Sequence, residues 1–183
     1  LGISEDISSL NPVTLSTFYI QDRFNTSNEF HGLNFGAVWR GGWQKWSLEL
    51  LAKTALGNVH QKVDISGSTT ISQPTAPTQE YDRGFLALPS NSGQYSRDRF
   101  AVIPELGVNL GFMVFPRWRA SFGYSVIFWG PVVRPGDQID LDINPDQLAP
   151  PIVPVAGPLR PEFEYRDVNY WVHGMTFGLE GRW

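Results

Sequence analysis

The chain has 183 residues and a net charge of −4, enough for one domain or part of one. No basic stripe occurs, which argues against nucleic acid as a partner, and the absence of cysteine excludes disulfides, thiolate metal sites and cysteine nucleophiles. Charged residues make up only 17% of the chain and aromatics 14%, and no apolar run of about 18 residues is present, so a membrane-spanning helix is excluded.

In chain order, residues 1–11 read as the top of an ascending strand. A strand follows over 22–40, turns at Gly41-Gly42, and returns over 43–66. Residues 67–95, rich in Ser, Thr, Pro and Gly, read as a long loop. A second strand spans 98–114, turns at Phe115-Pro116, and returns over 117–132. A proline-rich loop covers 131–162, and a last strand runs from 167 to 183. No segment reads as a helix. Short turns at one end and long loops at the other are the layout of an outer-membrane barrel.

One pattern recurs three times on these strands. Gly32-Leu33-Asn34-Phe35-Gly36 returns as Gly107-Val108-Asn109-Leu110-Gly111 and as Gly174-Met175-Thr176-Phe177-Gly178. Apolar residues alternate with Gly, Asn or Thr, the two-residue period of a strand with one greasy face and one small polar face. The return strand 117–132 alternates in the same way. Trp118, Ala120, Phe122, Tyr124, Val126 and Phe128 oppose Arg119, Ser121, Gly123, Ser125 and Ile127.

Alternation does not say which face points outward, because a soluble barrel or sandwich buries the apolar one. The tryptophans do. Trp39, Trp43, Trp46, Trp118 and Trp183 fall at the short-turn ends of their strands, and Trp129 and Trp171 at the opposite ends. Two aromatic belts bounding an apolar band are expected where water meets lipid. The fold expected is all-β, an antiparallel up-and-down transmembrane β-barrel. Five strands and a sixth at 1–11 lie in this segment as part of one barrel domain. Single-chain barrels need about eight or more, so the remainder is expected upstream.

The wording of the chain also resembles a known family. Asp22-Arg23-Phe24-Asn25-Thr26-Ser27-Asn28-Glu29-Phe30, Ala55-Leu56-Gly57-Asn58, Val63-Asp64-Ile65-Ser66-Gly67-Ser68-Thr69-Thr70, Tyr95-Ser96-Arg97-Asp98-Arg99-Phe100-Ala101-Val102 and Val133-Arg134-Pro135-Gly136-Asp137-Gln138-Ile139-Asp140 carry the likeness. They resemble a β-barrel porin family abundant in planctomycete-type bacteria. The resemblance implies an outer-membrane barrel of a Gram-negative-type bacterium, of which this chain is similar to the C-terminal half. It also implies that a terminal aromatic, here Trp183, serves the barrel-assembly machinery through the last strand. The lipid bilayer is the expected surrounding, and a homo-oligomer is compatible with it.

Candidate lumen-lining residues are Arg40, Glu49, Lys53, Glu105, Asn109, Arg119, Thr176, Glu180 and Arg182, all on the polar face. Mixed charges there either set a transverse field that selects solutes or fill and stiffen a narrow barrel. The acidic stretch 137–146 lacks the glycine spacing of a calcium loop and reads as a solvated loop. The strand-top pairs Asp22-Arg23, Asp98-Arg99 and Arg166-Asp167 are expected to pair across strands, with lipopolysaccharide phosphates as the other reading. His31, His60 and His173 are scattered, and no Ser/His/Asp arrangement assembles. No catalytic residue, metal or cofactor is therefore expected, and no enzyme.

Passage of small hydrophilic solutes, or an envelope-building role, is the function expected. The alternatives are an adhesin acting through the long loops and a soluble β-sandwich binding a ligand. The sandwich predicts Leu110, Phe122 and Phe177 in a closed core.

Overall fold

The computed structural model describes residues 2–12 and 15–181. Seven strands form one antiparallel sheet: β1 (Gly2–Asn11), β2 (Ser16–Trp43), β3 (Trp46–Gln73), β4 (Ala76–Tyr81), β5 (Gly93–Phe115), β6 (Trp118–Val133) and β7 (Asp167–Gly181). Their order is β1-β2-β3-β5-β6-β7, an up-and-down meander, with β4 paired to β3 beside that path. The sheet does not close on itself among the described residues. Within the expected strand 1–11, Gly2–Asn11 is thus a strand, in register with β2 from Gly2↔Asn25 to Asn11↔Ser16.

Two expectations require correction. The first turn is not at Gly41-Gly42. Strand β2 runs through both glycines to Trp43, and the reversal falls on Gln44 and Lys45, with Gln44 at φ 53°. Nor is 67–95 a single loop. Strand β3 continues to Gln73 and folds back into β4, with Thr69↔Tyr81, Thr70↔Glu80 and Ile71↔Gln79 in register. Sequence chemistry misses this hairpin because its strands are Ser-, Thr- and Gln-rich. Pairing along the backbone, with Thr69 and Ile71 buried, holds it instead.

The chain divides into two compact units. Unit 1 comprises Leu1–Glu29, His60–Arg97 and Val133–Asp167. Its core joins Phe24 on β2, Val63 and Ile65 on β3, Ala87 in the 82–92 loop and Val133 on β6. Leu86, Tyr95, Ile139, Phe163 and Tyr165 pack against them. Burying each such large apolar side chain stabilises by about 1.5–3 kcal/mol. The loops themselves carry little hydrophobicity and are stitched by buried polar side chains. The buried Asp22 carboxylate accepts the N–H groups of Phe85, Leu86 and Ala87 at 3.1, 3.0 and 2.8 Å. Asn91 accepts from the Leu88 N–H and donates to the Leu86 carbonyl. Gln138 donates to the Arg166 carbonyl at 2.6 Å, and Gln147 to that of Arg160 at 2.6 Å. Each group satisfies backbone that would otherwise lose its water on burial.

Unit 2 comprises Phe30–Val59, Asp98–Val132 and Val168–Trp183. It is a single layer of strand, with β5 and β6 in register from Glu105↔Ile127 to Phe115↔Trp118. Nothing among the described residues covers its apolar face. Leu110 is 39% exposed, Phe122 40% and Phe177 76%. Leu110 sits opposite Phe122, whose ring lies 5.1 Å from that of Phe177. The three line up across neighbouring strands on an open face and not in the closed core a sandwich requires.

Candidate functional site

The two faces of unit 2 differ in chemistry. On one, Leu33, Phe35, Ala37 and Trp39 of β2 meet Leu48, Leu50 and Ala52 of β3, Leu106 to Val114 of alternate β5, and Trp118 to Phe128 of alternate β6. Trp171, His173, Met175, Phe177 and Leu179 complete it on β7, with His173 near the Trp171 and Tyr124 rings. None of these positions is Asp, Glu, Lys or Arg. Trp46 meets Phe112 with ring centroids 4.6 Å apart, so the packing runs from strand to strand.

The other face collects the lumen-lining candidates. Arg40 of β2 pairs with Glu49 of β3. Lys53 of β3 reaches Glu105 of β5 at 3.6 Å. Arg119 of β6 reaches Glu180 of β7 at 3.6 Å and donates through Nη2 to the Ser47 hydroxyl of β3 at 2.6 Å. Asn109 lies opposite Gly123, and Thr176 packs beside that glycine. Six of the candidates are therefore joined as three cross-strand ion pairs. Asn109 and Thr176 fill the small polar floor between them. Arg182 lies outside the described residues, as does Trp183.

The belt tryptophans divide. Trp39, Trp43, Trp46, Trp118 and Trp171 lie on the apolar parity and are exposed, and Trp171 stacks on His173 at 5.6 Å. Trp129 takes the parity of Arg119 instead. Its indole N–H is buried without an acceptor among the described residues. Its odd number on β6 was a legible signal of that difference.

Unit 1 holds a cluster that sequence reasoning missed. Arg97 of β5 donates to the Gln61 carboxamide at 2.7 Å and to the Asp167 carboxylate at 2.7 Å. The same guanidinium lies 4.1 Å from the Tyr165 ring, which meets Phe163 edge-on, and Phe163 stacks on Tyr95 at 3.6 Å. Burial pushes the Tyr165 phenol above its usual range, and the Arg97 charge offsets part of this. The strand-top acids are likewise absorbed locally. Asp22 serves the 82–92 loop, Asp98 accepts from Asn58 at 2.8 Å, and Asp167 holds Arg97. No group of His, Cys, Asp and Glu able to hold a metal occurs among the described residues.

An up-and-down antiparallel sheet with an apolar face and an ion-paired, glycine-rich face makes this an all-β meander protein, the strand arrangement from which β-barrels are closed. More particularly, the chain belongs to the family described as Putative beta barrel porin-7 (BBP7), whose model matches residues 1–183. No curated protein and no solved structure matches the chain.

Proposed function

We propose that this chain builds part of the wall of an outer-membrane barrel, and that the barrel passes small hydrophilic solutes. The observation that carries the reading is the apolar face of unit 2, which among the residues named has no Asp, Glu, Lys or Arg and is uncovered among the described residues, backed by a polar face. Water gives no reason to leave Leu110, Phe122 and Phe177 open, whereas hydrocarbon does. Along β6, Trp118 to Phe128 covers about 34 Å of strand, or about 26 Å of height at a tilt of ~40°, close to the apolar band of such barrels.

The surroundings and partners follow from that reading. The apolar face meets the lipid bilayer of an outer membrane, and the last strand is the segment that the barrel-assembly machinery would engage. The paired charges and small polar residues of the polar face support transport as the activity proposed. The adhesin reading is less favoured because Asp22 of β2 holds the 82–92 loop, and Phe163 and Tyr165 of the 134–166 loop pack on Tyr95 and Arg97 of β5.

The test uses the full-length protein refolded into detergent and then into planar lipid films. Heat-modifiable gel migration and stepwise conductance are expected. A protein that stays soluble without detergent, or a folded barrel that conducts nothing, contradicts the passage reading.

A further inference from the structure

Two of the three cations on the polar face, Lys53 and Arg119, lie along the wall, each seated where a neighbouring strand has no side chain. A Cβ at Gly36 would stand 2.6 Å from Lys53 Cγ, so the root of the lysine stem lies in the space beside that glycine while its ammonium reaches Glu105. A Cβ at Gly111 would stand 2.5 Å from both Nε and Nη2 of Arg119 and would strike Ser47 Oγ as well. The Arg119 guanidinium therefore bridges from β6 across β5 to Ser47 on β3, while its Nη1 faces Glu180 on β7. Glycine at 36 and 111 is what lets both cations lie flat.

The electrostatic consequence, among the described residues, is a set of matched charges along the wall. Arg40 is matched by Glu49, Lys53 by Glu105 and Arg119 by Glu180. Arg99, on the same parity of β5, is also engaged by a neighbour. Between the pairs, among the described residues, the face offers Asn34, Asn109, Ser121, Ser125 and Thr176, with Leu51 packed beside Gly107. A solute moving along such a surface meets hydrogen-bonding groups and short-range dipoles, whose fields fall off faster than those of single charges. Fixed rings of one sign, which select ions in other pores, are replaced here by pairs that cancel.

We infer that the solute class is uncharged hydrophilic molecules of the sugar or polyol type, and that Arg119, held over Gly111 by Glu180 and Ser47, is a specificity-determining residue. This rests on the passage reading. It separates from it because a channel can conduct and yet be charge-selective.

The experiment measures reversal potentials of the full-length protein in a planar film under a potassium chloride gradient. Vesicle-swelling rates are measured alongside with sucrose, glucosamine and gluconate as probes. The natural chain is expected to show a cation-to-anion permeability ratio near unity and to pass sucrose at least as fast as either charged probe. Glu180→Gln leaves the Arg119 charge unbalanced and is expected to shift the ratio about fivefold toward anions. Lys53→Gln leaves Glu105 unbalanced and is expected to shift it by a similar factor toward cations. Gly111→Ala keeps every charge but lifts the guanidinium from its seat, and its ratio is expected to move in the direction of Glu180→Gln. Folding of each variant is read from heat-modifiable migration. Conductance with strong ion selectivity in the natural chain overturns this inference while leaving passage intact, as do folded variants whose ratios stay unchanged. Silence of every folded form overturns the passage reading and this inference with it.

Discussion

Placing an arginine on the apolar face at two depths separates a lipid-facing wall from any water-facing surface. Phe122 lies one residue from the middle of the Trp118–Phe128 stretch, within about 3 Å of the midplane, and Trp118 lies about 13 Å from it. The two are comparably exposed, at 40% and 47%, so burial in protein predicts no difference between them. Lipid does. The penalty for arginine over alanine is about 2–4 kcal/mol at the midplane and about 0–1 kcal/mol near the interface. Phe122→Arg minus Phe122→Ala is thus expected to exceed Trp118→Arg minus Trp118→Ala by about 2 kcal/mol, roughly thirtyfold in the folding equilibrium. Subtracting the alanine variants removes the lost ring contacts with Phe177. The assay is reversible denaturant titration in lipid vesicles, read by heat-modifiable migration. Equal penalties at the two positions would refute the argument, since depth would then have no energetic meaning.

Other expectations follow from local geometry. Asp22→Ala strands the N–H groups of Phe85, Leu86 and Ala87, should weaken the loop's attachment by about 2–3 kcal/mol, and should make residues 82–92 the first site of limited proteolysis. Gly57 faces Gly32, whose Cα lies 2.5 Å from where a Gly57 Cβ would stand, so Gly57→Val should cost about 1–3 kcal/mol in the same denaturant titration. The carboxyl of Asp140, in the 134–166 loop, is held below its usual 3.8, first by the Glu162 N–H and then by the Asp142 N–H and Arg160. Its contribution is therefore full above pH 3.8 and is lost as pH falls below that through the depressed folded value. Protease resistance of the loop should decline there, and Asp140→Asn should flatten that acid limb.

The strand scaffold was legible because the long strands alternate apolar and small polar residues with a two-residue period. Gly-x-Asn-x-Gly and its relatives fall inside β2, β5 and β7, as their period requires. Cross-strand pairing of the lumen candidates was not legible. It depends on register, which brings Lys53 to Glu105 across 52 residues of sequence and Arg119 to Glu180 across 61. Gly41-Gly42 misled because a glycine pair signals a turn, whereas here both lie in the strand and Gln44 takes the left-handed conformation. The long loops misled for a different reason. Their Pro, Ser and Asn content reads as solvated chain, yet Asn91, Gln138 and Gln147 are buried. Their partners are backbone groups that only tertiary folding brings within reach.

The chain's lack of cysteine allows the most direct measurement. Single cysteines placed in turn from 118 to 128, on a barrel folded in vesicles, can carry a nitroxide whose collisions with oxygen and with a water-soluble nickel chelate are counted. Even positions such as Phe122 should favour oxygen and odd positions such as Ser121 should favour nickel, in a two-residue rhythm. A flat profile, or one with the two probes exchanged, would contradict a lipid-facing Leu110–Phe122–Phe177 surface.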